Sequence, residues 1–332
     1  MTAARDDEYL TPCQWHLKCI GLEDTNLALF HIPFPYNTKF EQEIDTALIQ
    51  HDHIAIIGSE LHLNTVDFIT RYQHPKITFF LCGFINGITA PQWMDWFSTS
   101  VAFYKQNNIL DQLTPYIPKT KIFDILLGQP KPHRTHIYNY INHNELNDRV
   151  VMTYMKDFTK SIQQQDESGW IWESEPTVNE FKWTVTMVEY HGFELSLSQI
   201  IPINIYNQTA YTIVAETTFD NHYSFYTEKI VKPILAERLF LVLGGQHYLR
   251  NLRSMGFKTF DTIVDESYDD EADNNTRFGM VCEEMRKLIN RPQQEVLDSI
   301  RPITEHNRKV MLETDWLEQF HSKLKTVLTE TK

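Results

Sequence analysis

The chain has 332 residues, which is enough for about two domains with cores of their own. Asp and Glu number 44 against 30 Lys and Arg, and the net charge of −14 argues against a broad basic face that would hold DNA or RNA. The four cysteines form no CxxC pair, so no disulfide framework or zinc site can be read from them. The polar, acidic start and the absence of any run of roughly 20 apolar residues lead us to expect a cytoplasmic protein with no signal peptide.

The first part of the chain alternates apolar runs with amphipathic segments. Residues 53–61 and 76–84 are typical of buried strands, and residues 65–73 between them space apolar side chains as a helix does. Strand, helix and strand in succession predict a parallel α/β sheet. Residues 91–110, rich in Trp and Phe, predict a further helix. Two prolines shortly before residue 119 predict a domain boundary there.

A second α/β series follows this boundary. It predicts strands at 121–128, 150–155, 211–216 and 239–245, helices at 133–146, 226–237 and 247–255, and charged helices from about 279. We therefore assign 1–118 to an N-terminal Rossmann-like domain, 119–290 to a C-terminal Rossmann-like domain and 291–332 to C-terminal helices. Ligands of open α/β sheets bind outside the carboxyl ends of the strands, so the loops after 128, 216 and 245 are candidate site segments. The role of residues 157–200 stays open.

Two of these loops place a cation where a helix begins. Glu216 ends a predicted strand, and Lys229 lies in the first turn of the helix predicted after it. Arg134 follows Lys131 at the start of the helix predicted after the strand at 121–128. A cation at a helix N-terminus opposes the helix dipole, and a bound diphosphate would remove that conflict. Alternatively, Glu228 only complements the dipole and Arg134 is a solvated surface residue.

Residues 216–245, ETTFDNHYSFYTEKIVKPILAERLFLVLGG, resemble the donor-site motif of the α1,3-fucosyltransferase-like glycosyltransferases. In that motif a strand ending in Glu-Asn is followed by Tyr-Val-Thr-Glu-Lys, a helix and a further strand. Here Thr217 stands in place of the Asn, Phe225 in place of the Tyr and Tyr226 in place of the Val. The resemblance spans roughly residues 120–260, and residues 256–270 also resemble glycosyltransferase-like proteins of phages and marine bacteria.

The resemblance implies a GT-B fold, with two Rossmann-like domains facing a central cleft: an acceptor domain at 1–118 and a nucleotide-sugar donor domain at 119–290. It also implies a metal-independent, inverting transfer of a sugar from a GDP- or UDP-linked donor to a glycan or other hydroxyl acceptor. By position, the donor-binding roles fall on Arg134, Glu216, Glu228 and Lys229. We add Tyr226, whose ring either stacks on the base of the nucleotide or belongs to the core. The donor base, the sugar and the acceptor stay open.

An inverting transferase needs a base that takes the proton of the acceptor hydroxyl. Our first candidate is Glu60, at the end of the strand predicted at 53–61. The alternatives, in falling order, are the carboxylates Asp95, Asp52 and Asp67 and the imidazoles His62 and His51. The acidic segment 265–270 either holds a metal ion or is a solvated loop. We expect a solvated loop and no metal, since no strand directly before the segment presents it to a cleft.

Three other functions remain open. One is a phage-type glycosyltransferase acting on hydroxymethylated DNA bases, which the net charge disfavours. Another is a Rossmann-like pair that binds a nucleotide sugar without turnover. The third is an assembly protein that uses the aromatic segment 157–185 as an interface.

Overall fold

The computed structural model describes residues 12–22, 28–33, 36–128, 130–154 and 199–330, together with four short strands between 171 and 196. Contacts between these residues group the chain into two compact units. The N-terminal unit comprises the described residues up to 98 and from 315 onward, and the central unit comprises residues 99–314. The sequence places its boundaries at 118 and 290 instead. The assignment of acceptor and donor domains to those ranges stays a prediction.

The N-terminal unit is built on a parallel sheet. In chain order its described elements are α1 (Pro12–Cys19), β1 (Ala28–His31), α2 (Lys39–Gln50), β2 (Ile54–Gly58), α3 (Leu63–Arg71), β3 (Ile77–Leu81) and β4 (Gly83–Ile85). The strands β1, β2 and β3 pair in parallel in that order, and every residue of the central strand β2 is buried. The strand, helix and strand predicted between 53 and 84 are therefore confirmed.

The central unit has the longer series of elements. They are α4 (Asp95–Gln106), which begins just before the division at 98, then β5 (Lys121–Leu126), α5 (Pro132–His143), β6 (Val150–Tyr154), β7 (Ile171–Trp172), β8 (Lys182–Thr184), β9 (Met187–Tyr190), β10 (Phe193–Ser196), α6 (Ile203–Gln208), β11 (Thr209–Ala215), β12 (Tyr223–Phe225), α7 (Glu228–Leu235), β13 (Phe240–Leu243), α8 (Tyr248–Ser254), α9 (Asn274–Ile289) and α10 (Gln293–Glu313). Each strand and helix predicted between 121 and 255 appears among them, most with shorter bounds.

A five-stranded sheet organises this unit, in the order β13-β11-β5-β6-β7. The first four strands are parallel and β7 is antiparallel to β6. The strands β8, β9 and β10 form a separate antiparallel sheet. Strand β11 pairs in parallel with both β5 and β13, so the carboxyl ends of these three strands, and the loops that follow them, lie at the same edge of the sheet. The aromatic segment 157–185 lies entirely outside the residues whose side chains the structure describes.

A buried polar group ties the sheet of the central unit together. Asp124, in the middle of β5, is fully buried and accepts hydrogen bonds from Arg238 (2.7 Å) and Thr212 (2.9 Å). Burial raises the pKa of Asp124, and the charge of Arg238 opposes that shift. Arg238 also lies over the ring of Tyr206, 4.3 Å from its centroid. The pair joins β5 and β11 to the end of α7, because a buried charge is tolerated only when it is paired.

The last helix, α11 (Trp316–Glu330), belongs to the N-terminal unit. Its residues Phe320, Leu324 and Leu328 pack into the core that contains Ile57 and Phe80 from the sheet. Both units thus place helices against a parallel sheet. The α/β class is confirmed, and it is consistent with the GT-B-like fold that the sequence predicts.

Candidate functional site

Two helices begin at the carboxyl edge of the central sheet. Helix α5 has Lys131 as its N-cap and Pro132 in its first turn, and the Lys131 side chain makes no capping hydrogen bond. Helix α7 has Thr227 as its N-cap, and the Thr227 hydroxyl accepts a hydrogen bond from the backbone N–H of Lys229. The same hydroxyl donates to the carboxylate of Glu216, directly after β11, at 2.8 Å. This contact fixes the start of α7 beside the end of β11.

Three cations gather around the end of β11. The Nη2 atom of Arg134 donates to the carbonyl oxygen of Glu216 at 3.1 Å. The ammonium group of Lys131 donates to the carbonyl oxygen of Thr217 at 2.5 Å, and that of Lys229 donates to the Thr217 hydroxyl at 3.2 Å. We call Lys131, Arg134 and Lys229 the cation cluster. The two βα turns that the sequence singles out therefore meet at one place.

The charges of the cluster affect one another. Burial, together with the charges of Arg134 and Lys229, lowers the pKa of Lys131 to about 8. Burial also lowers the pKa of Arg134. The neighbouring His133 is fully buried, and burial with the charge of Arg134 lowers its pKa to about 3, so its imidazole is neutral at pH 7. Like charges held this close favour the binding of an anion.

Glu228 and Lys229 form an ion pair at the start of α7, with 2.7 Å between Oε1 and Nζ. The Glu228 side chain is 3% exposed, whereas that of Lys229 is 24% exposed. Burial opposes ionisation of Glu228, but the charges of Lys229 and Lys232 hold its pKa below the usual value. Glu228 is therefore an ionised, buried partner that orients Lys229, and Lys229 is the member of the pair that a ligand can reach.

The carboxylate of Glu216 supports the start of α7 through hydrogen bonds within the protein. It is fully buried, its Oε1 accepts from the Tyr248 hydroxyl at 2.6 Å, and its Oε2 accepts from the Thr227 hydroxyl and the backbone N–H of Thr217. Burial raises the pKa of Glu216, against the charge of Lys229. With both oxygens already bonded within the protein, Glu216 is placed to position α7 rather than to touch a donor.

The aromatic residues near the site are part of the core. Tyr223, Phe225 and Tyr226 are all buried, and Tyr226 is 1% exposed. Its hydroxyl donates to the carbonyl oxygen of Tyr248 at 2.6 Å, and the two rings lie 4.5 Å apart. This geometry favours the core alternative for Tyr226, where it supports the residue that holds Glu216.

The N-terminal unit carries its own polar group at the carboxyl end of its sheet. Glu60 follows β2, its side chain is 31% exposed, and Oε2 lies 3.5 Å from Nε2 of His62. Burial raises the pKa of Asp95, and the charge of Glu60 adds to that shift. His31 Nε2 and the Ser59 hydroxyl lie 2.7 Å apart at the ends of β1 and β2. The weaker carboxylate alternatives, Asp52 and Asp67, are both exposed.

The acidic segment 265–270 is only in part the solvated loop that the sequence predicts, because Asp265 and Asp270 are exposed but Asp269 and Glu266 are bonded within the protein. Asp269 is buried and accepts the backbone N–H groups of Leu249 and Arg250, both at 2.8 Å, at the start of α8. Glu266 accepts the backbone N–H of Phe260 and pairs with Arg253 at 2.9 Å. Helix capping and ion pairing explain these carboxylates, because an N-terminal turn leaves N–H groups that need acceptors.

Several residues of the site are not among the sequence candidates: Lys131 as a member of the cation cluster, and Thr217, Thr227 and Tyr248 as the groups that hold it. The sequence could have indicated Lys131, because it is a second cation three residues before Arg134 in the same turn. It could not have indicated Tyr248, because the contact of Tyr248 with Glu216 spans 32 residues.

Comparisons with known proteins leave the family open. No protein-family model matches the chain, and no curated protein sequence matches it. One solved structure, described as a crystal structure of alpha1,3-fucosyltransferase, aligns with 92% of this chain and 91% of its own, at 10% sequence identity and a TM-score of 0.34. A likeness this loose assigns neither family nor activity.

The described residues contain neither a membrane-spanning helix nor a group of metal-ligating side chains. No described helix has both the length and the apolar composition of a membrane span. Within the same residues, no three His, Cys, Asp or Glu side chains are grouped as metal ligands would be. The expected independence from metal stays a prediction.

Proposed function

We propose that this protein is a glycosyltransferase that takes a sugar from a nucleotide diphosphate donor and passes it to a hydroxyl acceptor with inversion. The observation that carries the proposal is the cation cluster, where Arg134 and Lys229 come from two helix starts to the same strand end. Cations and helix N-terminal N–H groups are the groups that bind phosphates in proteins.

In the proposed reaction the acceptor oxygen forms a bond to the anomeric carbon, and the bond from that carbon to the diphosphate oxygen breaks. The diphosphate leaves with the electron pair, and its negative charge grows in the transition state. Preorganised cations stabilise developing charge of this kind. Arg134 and Lys229 would do so here, and the N–H groups at the start of α7 would add to them.

The acceptor proton must pass to a base as the new bond forms. We keep Glu60 as the proposed base, because its partly exposed carboxylate follows a strand end of the N-terminal unit. Asp95 stays the alternative, with a pKa that burial raises. In the central unit, Glu216 and Tyr226 are proposed to shape the donor site, and Glu228 to orient Lys229.

The donor half of this proposal is tested by calorimetric titration of the full-length protein with UDP, GDP, ADP and CDP in the presence of EDTA. We expect one diphosphate to bind, and Arg134→Ala or Lys229→Ala to raise its Kd by about 10- to 100-fold, as the loss of a charged hydrogen bond does. Arg149→Ala is the control, since Arg149 also donates Nη2 to a backbone carbonyl oxygen, that of Ile289, but before β6.

The melting temperature of each variant without ligand separates lost binding from lost folding. If all four diphosphates fail to bind the folded wild-type protein, the proposed function is wrong. Binding with no turnover of any sugar donor would instead support a non-catalytic nucleotide-sugar-binding protein.

A further inference from the structure

The side chain of Lys131 reaches across from one βα turn to another. Lys131 precedes Pro132 in extended backbone, with φ of −145° and ψ of 155°. Its ammonium group crosses to the end of β11, where it donates to the carbonyl oxygen of Thr217. Helix capping does not explain this contact, because the Lys131 side chain makes no bond to its own helix.

Thr217 holds two ammonium groups at once. Lys131 is bonded to its carbonyl oxygen at 2.5 Å and Lys229 to its hydroxyl at 3.2 Å. Arg134 is bonded to the carbonyl oxygen of the preceding residue, Glu216. Three full positive charges therefore surround a stretch of two residues.

The nearby carboxylates do not neutralise Lys131. Glu228 is paired with Lys229, and Glu216 accepts from Thr227, Tyr248 and the backbone of Thr217. His133 adds a neutral polar group, because burial and the charge of Arg134 lower its pKa to about 3. Its Nε2 lies 2.8 Å from the carbonyl oxygen of Glu216, and its Nδ1 makes no hydrogen bond. Glu228 also faces Lys232, a fourth cation, so the cations around the end of β11 outnumber the carboxylates and favour an anionic ligand.

We propose that Lys131 is a third phosphate-binding residue, which binds one phosphate of the diphosphate that Arg134 and Lys229 bind. This inference rests on the proposed function and deepens it. Because the cations stand on two separate helix starts, we expect two adjacent phosphates to bond to more of them than one phosphate can. The site is therefore expected to bind diphosphates more tightly than monophosphates.

The electrostatics of the free protein give this contact a pH dependence. The charges that act on Lys131 are those of Arg134 and Lys229, and the neutral His133 lies beside it. The carboxylates Glu216 and Glu228 and the phenol of Tyr154 act on Arg134, and Lys232 acts on Glu228. Burial and the two cations bring the pKa of Lys131 to about 8, and a bound dianion raises it. The contribution of Lys131 to binding is therefore complete below pH 8 and is lost as the pH rises through the pKa of the bound state.

The experiment compares Lys131→Met with a matched control, Lys121→Met. Lys121 lies at the opposite end of β5, and its ammonium group also donates to one backbone carbonyl oxygen, that of Asp148, at 2.9 Å. The probes are UDP, GDP, inorganic pyrophosphate and inorganic phosphate, titrated calorimetrically into the full chain at pH 7.0, 8.0 and 9.5. The ratio of the Kd values of variant and wild type cancels the ligand's own titration.

At pH 7 we expect Lys131→Met to raise the Kd of the diphosphate probes by about 10-fold, as the loss of one charged hydrogen bond does, and Lys121→Met to leave it within about 2-fold. The Lys131→Met ratio should fall towards one by pH 9.5. Phosphate should bind more weakly than pyrophosphate to the wild type.

The inference is overturned if the Kd of Lys131→Met divided by that of the wild type is near one at pH 7. It is also overturned if this ratio is about 10 at pH 7 and does not change at pH 9.5. Binding of pyrophosphate by the wild type without binding of any nucleotide contradicts the proposed function alone, and the pyrophosphate ratios then still decide the role of Lys131. A wild type that binds none of the probes contradicts both.

Discussion

At the residue scale, the buried carboxylate of Glu216 makes the stability of the folded protein depend on pH. Its pKa in the folded protein is raised above the ordinary value of 4.5, so the stability it contributes is present below that pH and is lost as the pH rises through the folded pKa. We expect Glu216→Gln to remove this loss. The difference in melting temperature between Glu216→Gln and wild type should shift in favour of the variant as the pH rises from 4 to 8.

The control for this prediction is Glu295→Gln, in the first turn of α10. Glu295 is exposed, so this variant reports the effect of a Glu→Gln change that removes no buried carboxylate. A Glu216→Gln difference that is constant from pH 4 to 8 would show that Glu216 titrates normally in the folded protein.

Residue identities predict part of the site. Arg134 and Lys229 stand out in the sequence because a cation at a helix start is unfavourable without an anion. Arg134 contacts the carbonyl oxygen of Glu216, 82 residues further along the chain, and Lys229 contacts the hydroxyl of the adjacent Thr217. Local patterns carry no information on the first of these contacts. The sequence also does not show that Glu216 is bonded within the protein, because the hydroxyl that donates to its Oε1 belongs to Tyr248 in the later helix α8.

At the element scale, the start of α7 depends on one hydroxyl. Thr227 caps the helix and also donates to Glu216 at 2.8 Å. We expect Thr227→Ala to lower the free energy of unfolding by about 1–2 kcal/mol, because the cap is lost and a buried carboxylate loses a donor. Thr227→Ser keeps the hydroxyl and should lose far less.

Urea unfolding of the two variants checks this prediction. The Thr227→Ala variant should also bind the diphosphate more weakly, since Lys229 follows the cap by two residues. Equal stability of the Ala and Ser variants would mean that the hydroxyl does not hold α7.

Most elements were predictable because their apolar spacing is local. The prediction of a helix at 226–237 began two residues early, and the cap at Thr227 explains the actual start at Glu228. Helix α2 had a signal in Phe40, Ile44 and Ala47, which recur at helical spacing and are buried, but it was not predicted. The acidic segment was misjudged because its carboxylates cap a helix that lies earlier in the chain.

At the scale of the whole molecule, the last helix stabilises the first unit. Phe320 in α11 is fully buried in the N-terminal core, 4.2 Å from the ring of Trp93 and 5.3 Å from that of Phe80. We expect Phe320→Ala to cost about 3–5 kcal/mol of unfolding free energy, the usual cost of removing a buried aromatic ring. Lys323→Ala, on the exposed face of the same helix, should cost little.

Scanning calorimetry of both variants measures this cost. A Phe320→Ala melting temperature equal to that of Lys323→Ala would mean that α11 does not stabilise the unit. The sequence shows that a charged helix ends the chain. It does not show which sheet that helix packs against, because a helical period is the same wherever the apolar face is buried.

The central claim is sugar transfer from a nucleotide diphosphate donor, and turnover tests it most directly. The measurement is the release of nucleoside diphosphate from a panel of UDP- and GDP-linked sugars, with EDTA present and simple glycosides as acceptors. We predict that the wild type consumes one donor, and that a variant carrying both Arg134→Ala and Lys229→Ala, folded by its melting temperature, consumes none. Equal release of nucleoside diphosphate by the wild type and the double variant would contradict the proposed sugar transfer. A wild type that leaves every donor intact would contradict it as well.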